Sequence, residues 1–182
     1  MTVVHTLRLR ISPSILARKI VCPAYVAAPF QKNDRFLFQA LHAMAVLKVL
    51  RRHLKLGYRL KSIEKRGHGF RIDLSFISPS GRIRVNEVKS AKQLGEVHRI
   101  QAALYYWGEG CDEVVLSNGD VDIVLPEDYI YAVQKRAHET LQLLTQHPDI
   151  ANVSFNPKPE VCRTCANAHC PFLPGNSRHS CS

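Results

Sequence analysis

The chain has 182 residues, enough to bury one well-packed core and most simply a single domain spanning 1–182. Lys and Arg outnumber Asp and Glu by 25 to 15, a net charge of +10 with a sequence pI near 9.6, which favours a polyanionic partner over an acidic one. No apolar run approaches the roughly twenty residues a bilayer span needs. The opening MTVVHTLRLRISPS lacks the apolar core and cleavage site of a secretory signal, so a cytoplasmic protein with no membrane partner is expected.

The segment ISPSILARKIVCP predicts a short helix capped by Ser12 or Ser14 and ended by Pro23. From about Asp34 to Leu56, the apolar residues Phe38, Leu41, Ala45, Leu47 and Leu54 recur at roughly helical spacing. They predict a long amphipathic helix with a basic C-terminal end. Strands are expected from about Tyr58 to Lys65, Gly69 to Ile77 and Arg82 to Lys89, with Gly67 and Gly69 separating the first pair. A helix from about Leu94 to Trp107 follows, then DEVVLS and VDIVL as a hairpin turning at Asn118 and Gly119. Glu127 to Thr145 predicts a last long helix, stopping before Pro148. NPKPE then connects to a cysteine-rich end, and PGNSRHSCS reads as a loose tail. This order predicts an α/β or α+β sheet with helices on its faces.

The chemistry concentrates between Phe70 and Trp107. Side chains alternate along a strand, so Glu87 and Lys89 face the same way. If SPSG turns the chain at Ser78 to Gly81, Asp73 lies beside Glu87 across the ladder. Phe70, Ile72, Leu74 and Phe76 then form the buried face, with Arg71, Asp73 and Ser75 on the opposite one. Two hard oxygen donors suit Mg²⁺ or Mn²⁺, and a neighbouring lysine can hold a phosphate or a water. A run of cations from Lys48 to Arg71 precedes this group, and Gln101 and Tyr105 lie four apart on one helical face.

At these residues the chain resembles the PD-(D/E)xK nuclease superfamily, and its RecB-like branch in particular. That branch pairs the D…ExK hairpin with a helix carrying Q-x-x-x-Y, matched here by Gln101 and Tyr105, and with a histidine on the first core helix, matched by His42 in FLFQALHAMAVL. The resemblance implies a restriction-endonuclease-like mixed central sheet flanked by helices, with a core at about 34–146. It also implies metal-assisted phosphodiester hydrolysis. His42, Asp73, Glu87 and the backbone carbonyl of Val88 would hold one or two divalent ions. Lys89 would position the attacking water, and Gln101 and Tyr105 would orient the DNA backbone or the lysine. His53, His68 and His98 have weaker claims, and His98 reads as a surface residue.

Four of the six cysteines crowd the end of the chain: Cys162, Cys165, Cys170 and Cys181. In a reducing compartment such grouping points to metal rather than disulfides. CRTCANAHC supplies three thiols and Cys22 is the distant fourth; by spacing alone the set suits structural zinc, with His169 or His179 as an alternative ligand. Cys111 reads as a buried small hydrophobe and Cys181 as a tail residue. The pattern of one cysteine before the core and three after it resembles the AddB-type nucleases and, in chain length and N-terminal motif, the CRISPR-associated exonucleases called Cas-four. That resemblance covers Ser12 to Pro171. It implies an iron–sulfur cluster on Cys22, Cys162, Cys165 and Cys170 that joins the N-terminal segment (about 12–30) to the C-terminal one (about 157–173). The last spacing is four residues where five is usual in the family, which leaves [4Fe–4S] and [2Fe–2S] both open.

The implied activity is trimming of single-stranded DNA ends, with prespacer processing beside the CRISPR integrase. A RecB-like repair or viral nuclease with no CRISPR role, and a zinc-stapled nucleic-acid-binding module without catalysis, are the alternatives. Homo-oligomerisation is compatible with each.

Overall fold

Ser12 starts the first helix, α1 (Pro13–Val21): its hydroxyl accepts from the Ile15 amide at 3.4 Å, and Pro13 occupies the position where a missing N–H costs nothing. The computed structural model describes residues 11–28, 32–66 (backbone only for 32–35), 70–106, 110–150 and 154–172. The expected turn glycines Gly67 and Gly69, His68, the helix end at Trp107 and the tail with His179 and Cys181 lie outside them. The remaining elements are α2 (Lys32–Lys55), β1 (Arg59–Arg66), β2 (Arg71–Ile77), β3 (Ile83–Val88), α3 (Glu96–Leu104), β4 (Glu113–Ser117), β5 (Asp122–Val124), α4 (Glu127–Gln146) and the short α5 (Pro159–Cys162).

The strands form one mixed sheet of five in chain order. β1, β2 and β3 make an antiparallel meander, β3 and β4 run parallel because α3 carries the chain across, and β4 and β5 form a hairpin. The β2–β3 turn falls where SPSG predicts it. The Gly81 amide donates to the Ser78 carbonyl at 2.9 Å and the Ser78 amide to the Arg82 carbonyl at 2.8 Å. Gly81 has φ +85°, a conformation strained for any residue with a Cβ. The paired register runs from Ile77 with Ile83 to Leu74 with Asn86, and Asp73 and Glu87 are the next residues beyond its last pair.

Helices cover both faces of the sheet over its central strands, while the edge strand β1 stays largely exposed. On one face, Ala45, Val46 and Val49 of α2 pack against Leu74, Phe76 and Val88. On the other, Leu16 and Ala17 of α1, Val97 and Ile100 of α3, and Val133 and Ala137 of α4 pack over Val85, Val114 and Leu116. This corrects the expectation for β2. Ile72, Leu74 and Phe76 are buried as predicted, but Asp73 and Ser75 are buried too, because helices roof the face that strand alternation would leave to solvent.

Three further differences carry physical reasons. Of the apolar set that marks α2, only Ala45 is buried; Phe38, Leu41, Leu47 and Leu54 face outward. The β4–β5 connection is not a two-residue Asn-Gly turn. Ser117 pairs with Asp122, and the Asn118 side-chain oxygen accepts from the Asp120 and Val121 amides at 2.9 and 2.7 Å, organising a longer loop. His98 lies within α3, half-buried, where Nδ1 accepts from the Gly95 amide at 3.3 Å rather than facing solvent.

The C-terminal turn of α2 is fastened to the sheet by polar contacts. Arg52 pairs with Asp122 and donates to the Gly119 carbonyl at 2.9 Å. His53 is fully buried, stacked on Phe76 with ring centroids 4.6 Å apart. Its Nδ1 meets the Val49 carbonyl at 3.0 Å, and its Nε2 accepts from Arg84 at 3.2 Å. Among the described residues no helix is long and apolar enough to cross a membrane.

Candidate active site

The β2–β3 ladder brings the acidic residues together, and α2 and α3 close on them from opposite sides. Asp73 is 4% exposed and Glu87 3%. Asp73 Oδ2 accepts from the Val88 amide at 2.8 Å, which ties the carboxylate to the neighbouring strand. Its other oxygen lies 3.3 Å from Nε2 of His42, an ion-pair contact off the line a hydrogen bond needs. The expected Asp73, Glu87 and His42 therefore border one cleft, although His42 comes from a different element more than thirty residues earlier.

Lys89 follows β3 directly, and the two-residue spacing places its ammonium 2.6 Å from Glu87 Oε1. Gln101, one turn before the end of α3, binds both. Its carbonyl oxygen accepts from Lys89 Nζ at 2.9 Å, while its amide donates to Glu87 Oε1 at 2.7 Å and to the Tyr105 hydroxyl at 3.3 Å. Tyr105 lies one helical turn after Gln101 and holds its amide from below. The Lys89 backbone amide donates to the Ser117 carbonyl of β4 at 2.8 Å, so the lysine is anchored at both ends.

Burial dominates the electrostatics. Glu87 is pushed up from 4.5 to about 7, because desolvation of the carboxylate and repulsion from Asp73 outweigh the attraction of Lys89. The Asp73 carboxylate raises His42 above its ordinary range, against the opposing effect of burial. Burial and the Glu87 charge push the Tyr105 phenol far up, so it remains a neutral hydrogen-bonding group.

These residues line an open cleft of ≈ 780 Å³, together with Val88, Ser12, Ser14, Arg66 and Arg71. Among the described residues, no three His, Cys, Asp or Glu side chains are grouped so as to hold a metal ion as they stand. Yet Glu87 Oε2 and His42 Nε2 are both enclosed without a hydrogen-bond partner among the described residues. Buried polar atoms without a partner are costly unless something satisfies them. Carboxylate and imidazole donors beside Asp73 suit a hard divalent cation.

The cysteine-bearing segments are held side by side by hydrogen bonds. The Ala24 amide donates to the Ser154 carbonyl at 3.2 Å, the Ala166 amide to the Val26 carbonyl at 2.8 Å, and the Asn167 side chain to the Ala24 carbonyl at 2.6 Å. Tyr25 reaches the Thr164 carbonyl through its hydroxyl at 3.1 Å, and Ala27 bridges to Cys165. Backbone and side-chain hydrogen bonds thus join the ends. Cys22 and Cys170 are buried, Cys162 and Cys165 partly exposed, and the described cysteines are thiols rather than disulfides. Cys111 is buried in the core, as its apolar surroundings predict.

Sequence reasoning missed the rim of the cleft. Ser12 and Ser14 read only as helix caps, and Arg66 and Arg71 only as members of a basic run; the fold places all of them along the lining of the cleft, with Arg71 also pairing with Glu64 at 3.8 Å. It also missed Glu160, whose carboxylate accepts from the Val97 amide at 3.3 Å and links the C-terminal segment to the start of α3. Gly95 permits that contact, since a Cβ there would lie 2.9 Å from the carboxylate oxygens. No signal short of the tertiary contact would have revealed it. Comparison with family models, with curated proteins and with solved structures finds no match for this chain to any of them.

Proposed function

We propose that this protein is a metal-dependent deoxyribonuclease of the RecB-like, restriction-endonuclease-like kind, acting on single-stranded DNA ends. The observation that carries the reading is the convergence of His42, Asp73, Glu87, Lys89, Gln101 and Tyr105 in one basic-rimmed cleft. Mg²⁺ or Mn²⁺ bound there would polarise the scissile phosphate and make a water acidic enough to attack at neutral pH. Asp73, Glu87, His42 and the Val88 carbonyl are the groups that would hold the ion. Lys89, fixed between Glu87 and Gln101, offers its ammonium to the attacking water and to charge developing on the phosphate. Gln101 keeps that ammonium in place, and Tyr105 keeps the Gln101 amide in place. Arg66 and Arg71 supply cations for flanking phosphates, contacts that are salt-sensitive and blind to sequence.

The resemblance extends the reading to an iron–sulfur cluster on Cys22, Cys162, Cys165 and Cys170, and to prespacer processing in CRISPR adaptation. What supports the cluster is that the two segments bearing these thiols are held together. The Ala27–Cys165 bridge and the Ala24 to Ser154 hydrogen bond bring the Cys22 and Cys165 stretches alongside each other. Iron and sulfide analysis with a visible absorption spectrum tests it; stoichiometric zinc in a colourless protein would overturn it.

End-labelled single-stranded DNA incubated with Mg²⁺, Mn²⁺ or EDTA tests the activity. Metal-dependent cleavage lost in Lys89→Ala supports the nuclease. Binding without cleavage under every metal would instead mark a non-catalytic nucleic-acid-binding module.

A further inference from the structure

The outer face of α2 is an apolar seam that no described element of this chain covers. Phe36 is 82% exposed, Leu37 62%, Met44 58%, Leu47 63% and Leu54 49%. Measured around the helix at 3.6 residues per turn, Leu37, Ala40, Met44, Leu47, Arg51 and Leu54 fall within a stripe about 100° wide. It lies opposite Val49 and His53, which meet the sheet. The spacing alternates three and four, the heptad pattern of a helix that packs against another helix. A surface helix in water is normally apolar on one side only. α2 is apolar on two.

We propose that this seam pairs antiparallel with the α2 seam of a second copy of the chain, forming an isologous dimer. Laid antiparallel on itself, the stripe sets Leu37 opposite Leu54, Ala40 opposite Arg51 and Met44 opposite Leu47, so the smallest side chain faces the longest. A two-fold interface demands this self-complementarity. Charge selects the orientation. The segment Phe36–Leu47 carries no Asp, Glu, Lys or Arg, whereas Lys48, Arg51, Arg52 and Lys55 crowd the other half. Antiparallel pairing lays each basic half against a neutral one and opposes the helix dipoles; parallel pairing would stack Arg51 on Arg51. The hollow lined by Leu47, Leu50, Arg51, Leu54 and Lys55 is where Leu37 of the second copy would sit. His42 points from the opposite side of α2 into the catalytic cleft, so the dimer leaves both clefts open.

Sedimentation velocity over a wide concentration range, with circular dichroism as the folding control, tests the pairing. The wild-type chain is expected to be a dimer and Leu47→Glu a folded monomer of half the mass. Ala40→Glu reads the orientation. In the antiparallel pair the introduced carboxylate meets Arg51 and the dimer tightens, whereas in a parallel pair the two introduced carboxylates meet each other and the dimer loosens. Three results would overturn the proposal: a wild-type monomer at every concentration, including one that binds an acidic amphipathic peptide instead; an oligomer that Leu47→Glu leaves intact; or a dimer that Ala40→Glu loosens.

Discussion

Lys89 is held by two groups at once, the Glu87 carboxylate at 2.6 Å and the Gln101 carbonyl at 2.9 Å, and that shared grip orders the effects of substitution. If the cleft is the proposed nuclease site, Lys89→Ala removes its cation, and cleavage should fall by about 10²–10⁴-fold, the usual contribution of a positioned proton-transfer group. DNA affinity, which the proposal assigns to the rim arginines, should stay within a few-fold, as filter binding in Ca²⁺ or EDTA would reveal. Gln101→Ala leaves Lys89 tethered only to Glu87 and should cost cleavage less than Lys89→Ala. Tyr105→Phe removes a 3.3 Å contact to Gln101 and should cost least, roughly the 0.5–1.5 kcal/mol net value of one hydrogen bond. Single-turnover rates for the three variants check the order. A Tyr105→Phe rate below that of Lys89→Ala would contradict this chain of support. Glu87 and Lys89 were legible in the sequence because strand geometry alone makes residues two apart share a face. The about-7 pKa of Glu87 was not, since it arises from burial under helices distant along the chain.

At the scale of elements, the junction of α2 with the sheet depends on a neutral histidine. His53 is faced by Arg52 on its own helix, by Arg84 of β3, by Asp122 of β5 and by the Tyr58 and Phe76 rings. Burial lowers its pKa below the ordinary 6.5, with Arg84 and Arg52 adding to the effect and the Val49 carbonyl and Asp122 opposing it. The unfolded chain therefore takes up a proton that the folded chain refuses. The stability His53 contributes is complete above its unfolded value of 6.5 and is lost as pH falls through its lower folded one. Thermal melts from neutral to acid pH should show a shallower loss across that window for His53→Leu than for wild type. The difference isolates His53, because Glu87, whose raised carboxyl works in the opposite sense, is common to both proteins. Asp122 belongs to the same junction. Burial alone would raise its carboxyl, yet the hydrogen bonds from Arg52 and Ser117 outweigh it and hold it low. Asp122→Ala would leave Arg52 with carbonyl partners alone and should lower the melting temperature at neutral pH. None of this network was legible from α2, whose periodicity marks the outward stripe as strongly as the inward one.

For the whole molecule, the joining of the two ends rests on hydrogen bonds in the structure, with the proposed cluster as an addition. Asn167 is buried and donates to the Ala24 carbonyl at 2.6 Å. Asn167→Ala would orphan that carbonyl and should cost about 1–3 kcal/mol. Faster limited proteolysis between the core and the C-terminal segment would reveal it, and an unchanged digestion pattern would show that other contacts suffice. If a cluster also ties the ends, its chelation should add to this loss rather than replace it. The order of the elements up to α4, the β2–β3 register and the shared face of Glu87 and Lys89 could be read locally. These follow from period-two alternation and the SPSG turn, which are local properties of the backbone. Only the tertiary structure decided that Asp73 and Ser75 are buried, that His42 reaches Asp73, that Glu160 seats on α3 and that the apolar stripe of α2 faces outward. Burial depends on which element comes to lie over a face, and long-range contacts, not local periodicity, choose that element.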